Sequence, residues 1–174
     1  MKQLILGGVR SGKSRYAEQW ATRRDAPVTY IATALPADEE MRARIAEHRR
    51  LRPKHWRTVE APIDLVTALK QNAHRERCIV VDCLTLWLTQ VLCEKGPGDA
   101  KNECDALVSA VAEMSGAIVL VSNEVGLGVA PMGELSRQFC DCAGRLHQGL
   151  AQVCDAVTLM VAGLPMNVKG AREW

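Results

Sequence analysis

This chain carries little charge of either sign to spare. Its 174 residues include 22 basic and 20 acidic side chains, a net charge of +2. That balance excludes a strongly polybasic nucleic-acid binder and leaves room only for a local basic patch. No apolar run approaches the roughly 18 residues that a membrane-spanning helix needs. The opening segment, MKQLILGGVRSGK, has too short an apolar stretch for a signal peptide and runs into a charged, Gly-rich stretch, so a cytoplasmic protein is expected. No two of the seven cysteines (Cys78, Cys83, Cys93, Cys104, Cys140, Cys142 and Cys154) have CxxC spacing. They read as small buried apolar residues in a reducing compartment rather than as thiolate metal ligands. Repeats and low-complexity stretches are also missing.

What is present is an ordinary globular composition. Hydrophobic residues make up 48% and charged residues 24%, which excludes global disorder. The length predicts one domain over 1–174. Apolar runs at 3–6, 28–32, 78–81, 117–122 and 156–161 read as strands, and 56–59 adds an edge strand. They are continuous rather than alternating, the pattern of strands buried on both faces of a parallel sheet. Helical periodicity covers 13–24, 38–50, 64–72, 84–92, 105–114 and 134–154, with a loop at 96–99. Strand alternating with helix predicts an α/β protein with a mostly parallel sheet.

Gly7, Gly8, Val9, Arg10, Ser11, Gly12, Lys13 and Ser14 match GxxxxGK[ST] at every fixed position, between a predicted strand and a predicted helix. Such a loop wraps phosphate with inward-pointing backbone N–H groups, and the helix that opens there adds its positive end. Lys13 would reach the β and γ phosphates, and the Ser14 hydroxyl would ligate Mg²⁺. Asp82 ends the third predicted strand. It either helps hold the Mg²⁺ or caps the following helix.

Residues 49–57 read RRLRPKHWR, five of the nine being Lys or Arg. A charge run is often a solvated face. Here Pro53 pins it just beyond a helix. His48, seven residues after Met41 and three after Ile45, falls on that helix's apolar stripe and is expected to face inward. It reads either as a core histidine or as a nucleophile toward phosphorus with arginines beside it. Asn123 and Glu124, at the end of the fourth predicted strand, are either substrate contacts in the ligand crevice or parts of a Gly-rich turn.

Taken together, GGVRSGKS, YIAT, HRxxRPxxW with Glu60 following, VDCLTLWL, SNEVGLG, AGRL and AGLP resemble the bifunctional adenosylcobinamide kinase / adenosylcobinamide-phosphate guanylyltransferase family of cobalamin biosynthesis. The resemblance runs from Leu4 to about Lys169. It implies a RecA-like P-loop NTPase fold and a cytoplasmic homotrimer. It also implies phosphorylation of adenosylcobinamide with ATP or GTP, followed by GMP transfer from GTP through a guanylyl-histidine. The histidine of HRxxRP falls on His48. Nucleotide contacts would fall on Gly7–Ser14, on Ala32, Thr33 and Ala34, on Arg49, Arg50, Leu51 and Arg52, and on Glu60 and Asp82. Two positions depart from the family pattern: Cys140, where an Arg is expected, and His147, where an Asn is expected. The alternatives are another small-molecule P-loop kinase, with His48 structural, and a non-catalytic nucleotide-binding module.

Overall fold

The computed structural model describes residues 1–170, with Leu51 described by its backbone alone. In chain order the elements are β1 (Lys2–Gly7), α1 (Lys13–Thr22), β2 (Val28–Ala32), α2 (Glu39–Leu51), β3 (Arg57–Glu60) and α3 (Leu65–Asn72). They continue with β4 (Cys78–Asp82), α4 (Leu84–Glu113), β5 (Ala117–Val121), α5 (Glu134–Val153), β6 (Ala156–Val161) and β7 (Leu164–Lys169). The strands form one sheet in the order β3-β2-β4-β5-β1-β6-β7. All neighbours are parallel except β6 and β7. The expected α/β architecture with a mostly parallel sheet is therefore present.

Alternation along each strand splits the core between two faces. Leu4, Ile31, Ile79, Val81, Ile118 and Leu120 pack beneath residues of α3, α4 and α5. Ile5, Val28, Tyr30, Cys78, Val80, Val119 and Val121 face the other way, against Ala17, Trp20 and Ala21 of α1 and against Trp56. Three helices thus cover one face and a single helix covers most of the other. Helix α2 is well specified locally. The Asp38 side chain accepts a hydrogen bond from the Met41 N–H at 2.7 Å, acidic residues fill the first turn, and basic ones fill the last. Yet none of its described side chains is buried.

Two expectations are corrected. The loop at 96–99 shrinks to one non-helical residue, Gly96 (φ 79°), inside α4. Pro97 then occupies the first turn of the second half, where its missing N–H leaves no bond unmade. The strand β7 was not expected. It returns antiparallel to β6 through a two-residue turn at Ala162 and Gly163, both with positive φ. That geometry joins tight hairpins, and an alanine in it gives little sequence signal.

Candidate active site

The phosphate loop is braced from both sides. The Gly7 carbonyl accepts the Glu124 N–H at 2.9 Å, and the Ser11 carbonyl accepts the Gly163 N–H at 3.0 Å. A side chain at position 7 would place its Cβ 2.6 Å from both the Met160 carbonyl and the Ser11 hydroxyl, so the loop's close approach to β6 requires glycine there. Gly12 caps α1 with φ 96°, a conformation that side chains disfavour. The Lys13 ammonium is buried and donates to the Gly8 carbonyl at 2.5 Å. Burial pushes its pKa down, and the nearby Cys83 and Asp82 push it back up.

Asp82 sits at the end of β4, in register with Ala32 at the end of β2. The Tyr30 hydroxyl donates to Asp82 Oδ2 at 2.7 Å. Burial, then the charge of Asp82, raises the phenol pKa well above its usual value, so Tyr30 remains a donor. The ring of Tyr30 carries the Arg52 guanidinium 3.4 Å from its centroid, within cation–π range. Arg52 Nε and Nη1 are buried without a partner among the described residues. Glu18, on α1, also belongs to this cluster. Burial and Asp82 raise its pKa, while His48 and Arg52 lower it. Ser14, in the first turn of α1, and Asp82, at the end of β4, carry hard oxygen donors of the kind that suit a divalent magnesium ion.

The remaining expected residues are distributed unevenly. Ala32 and Ala34 are half-buried at the end of β2. Arg49 is paired with Glu60 at the end of β3, which brings those two expected residues together. Arg50 turns outward to Glu47 at 2.8 Å. The side chain of Leu51 lies outside the described residues. Thr33 is fully buried; its hydroxyl donates to the Cys83 carbonyl at 2.7 Å and accepts the Cys83 N–H at 2.8 Å. The Thr33 side chain thus holds the turn after β4. The inward orientation of His48 is corrected. His48 is exposed, and Met41 and Ile45 on the same stripe are only half-buried. The imidazole still lies close enough to α1 for Glu18 to feel its charge.

A second polar group joins helices to the rim of the sheet. His147 Nε2 is 2.8 Å from the Ser122 hydroxyl, which is 3.4 Å from Thr85 Oγ1; Thr85 Oγ1 accepts the Asn123 N–H at 2.7 Å. The Glu124 carboxylate accepts the Gly126 N–H at 2.5 Å. Asn123 and Glu124 thus both help build the turn. Tyr30 and Thr85 fall within the motifs YIAT and VDCLTLWL, but their hydrogen bonds, and any part played by Glu18, gave no sequence signal. A Tyr two residues before a strand end, beside a strand ending in Asp, is the pattern that would have exposed the first.

Residues 3–168 match the profile of the cobinamide kinase / cobinamide phosphate guanyltransferase family. The bifunctional adenosylcobalamin biosynthesis protein CobP of Pseudomonas aeruginosa is 55% identical over 170 residues, covering 98% of each chain. The protein of the same description named CobU in Salmonella typhimurium is 39% identical, covering 97% of this chain and 100% of its own. Its Escherichia coli counterpart is 37% identical over the same shares. Among solved structures, an ATPase from the type III secretion system of pathogenic bacteria superposes with a TM-score of 0.55 at 13% identity, over 95% of this chain and 56% of that one. A protein of Pyrococcus horikoshii OT3 gives 0.55 at 9% identity, over 99% and 87%. These two share the fold.

Proposed function

This chain belongs to the cobinamide kinase / cobinamide phosphate guanyltransferase family, a bifunctional enzyme of adenosylcobalamin biosynthesis, and we propose that it runs both reactions from one nucleotide pocket. In the first, ATP or GTP phosphorylates the aminopropanol hydroxyl of adenosylcobinamide. Lys13 and the N–H groups of residues 8–14 hold the triphosphate and neutralise the charge that develops on the transferring phosphoryl group. Ser14 and Asp82 would hold Mg²⁺, which when bound neutralises phosphate charge and orients the triphosphate.

In the second reaction an imidazole nitrogen of His48 attacks the α-phosphorus of GTP, and pyrophosphate leaves. A phosphate oxygen of adenosylcobinamide phosphate then attacks the phosphorus of the guanylyl-histidine. The P–N bond breaks, adenosyl-GDP-cobinamide forms, and His48 is free again. Arg49, Arg52 and Glu60 stand beside that path. The observation that carries this reading is the convergence of the basic end of α2 on the phosphate-loop side, with Arg52 stacked on Tyr30 and Tyr30 bonded to Asp82.

Among the described residues no helix is long and apolar enough to cross a membrane. The chain acts in the cytoplasm as a homotrimer. Exposed Leu127, Val129 and Met132 after β5, and Leu164, Met166 and Val168 along β7, support association. Incubation with α-labelled GTP tests the core of the reading. A label that survives denaturation in the native protein and is lost in His48→Ala supports it. An equal label in both would overturn it.

A further inference from the structure

We infer that Tyr30 is a positioning residue for both halves of the pocket: its hydroxyl fixes the Asp82 carboxylate, and its ring is the shelf on which Arg52 rests. This rests on the reading of Asp82 as the carboxylate that serves the divalent cation.

The placement follows from register. Tyr30 pairs with Val80 across β2 and β4, and Ala32 pairs with Asp82. Residues two apart on a strand share a face. Tyr30 and Asp82 are therefore diagonal neighbours on the α1 face, a spacing that long aromatic side chains span. The hydroxyl takes Oδ2 at 2.7 Å. One oxygen of the carboxylate is thereby occupied and its plane is set, and Oδ1 remains for the cation or its water. Hydrogen bonds to a ligating carboxylate tune metal affinity about 10–100-fold.

The ring does separate work. Trp56 backs it at a centroid distance of 6.5 Å, and Arg52 lies over it at 3.4 Å with Nε and Nη1 unpartnered in burial. Buried donors without partners are unusual and disfavoured. The ring face is the contact that keeps this guanidinium beside the phosphate side of the pocket, with two donors uncommitted. A tyrosine filling space only would require neither the hydroxyl contact nor the stacked cation.

Titration calorimetry with a non-hydrolysable nucleoside triphosphate, in EDTA and in excess Mg²⁺, separates these roles. Circular dichroism and thermal melting would establish that each variant is folded. Tyr30→Phe keeps the ring. It should bind as wild type in EDTA, yet lose about five- to tenfold of the affinity gained from Mg²⁺. Arg52→Lys keeps the charge but not the planar stack. It should lose about fivefold in EDTA and keep the Mg²⁺ gain. Tyr30→Leu should show both losses. Should it fail to fold, the first two variants still decide the matter. Asp82→Asn is the reference: if it keeps the whole Mg²⁺ gain, the reading of Asp82 fails. If Asp82→Asn loses the gain and Tyr30→Phe does not, the Tyr30 inference alone fails. Equal losses with and without Mg²⁺ in Tyr30→Phe would also overturn it, since the hydroxyl would then be supporting the loop as a whole.

Discussion

The phosphate loop and the basic end of α2 are built by opposite means. The loop exposes Gly8, Val9 and Arg10 but is anchored by buried Gly7, Ser11 and Lys13, its carbonyls are tied to two other segments, and burial pushes the pKa of its lysine down. The end of α2 is exposed, and its pairs Arg49–Glu60 and Arg50–Glu47 lie in solvent, where such pairs contribute little to stability. The loop's geometry is made by folding. The placement of α2 depends on one stacked cation and on a helix whose described side chains remain unburied. Holding a triphosphate requires fixed donors. In the proposed guanylyl transfer, a histidine that meets an α-phosphorus and then a second substrate is better carried on a segment with little packing to lose.

The largest expected effect is on the loop side. Lys13→Ala should lower the kinase rate about a thousandfold, measured by phosphate transfer to adenosylcobinamide in a protein that melts as wild type does. It should also depress guanylyl transfer, because both reactions draw on the same triphosphate grip. A variant that lost only the kinase step would separate the two pockets.

Next is His48→Ala. Covalent label from α-labelled GTP should vanish while phosphorylation of adenosylcobinamide stays within a few-fold of wild type. Acid should release the wild-type label and alkali should spare it, as for a phosphoramidate. An equal fall in both activities would mean that α2 is as integral to the loop as α1 is.

Smaller effects belong to stability. Thr33→Val removes both hydrogen bonds to Cys83 and leaves a buried N–H unsatisfied, so it should lower unfolding free energy by about 1–3 kcal/mol, read from denaturant midpoints. His147 contributes less. Burial lowers its pKa below the usual 6.5, against a smaller opposing pull from Glu124. The unfolded chain therefore takes up the proton first as pH falls. The stabilisation is complete above about pH 6.5 and declines below it, down to the folded-state pKa. His147→Gln should flatten that acid slope, seen in melting temperature between pH 7.5 and 5. An unchanged slope would remove His147 from the comparison.

Much of the loop side was legible in the sequence, because its chemistry is local. Eight consecutive residues name the phosphate loop, and continuous apolar runs name the strands that hold it. The α2 side was legible only in part. Periodicity placed His48 on a stripe with Met41 and Ile45 but carried no information about what that stripe would meet. The role of Tyr30 was silent even within YIAT, because a tyrosine in a buried strand is ordinary until register brings an aspartate 52 residues away within 2.7 Å. Strand β7 was silent for a related reason: Ala162 adopts a backbone conformation that alanine seldom signals.

The two hydrogen bonds that brace the phosphate loop, from Glu124 to Gly7 and from Gly163 to Ser11, also bear on time. A cradle already shaped has no ordering step to await, so triphosphate capture should be one bimolecular event whose observed rate rises linearly with nucleotide concentration. Any slower, concentration-independent phase in stopped-flow traces would then belong to α2 settling over the bound nucleotide. The order of events would be written in which segment the fold has anchored: capture first, covalent chemistry after.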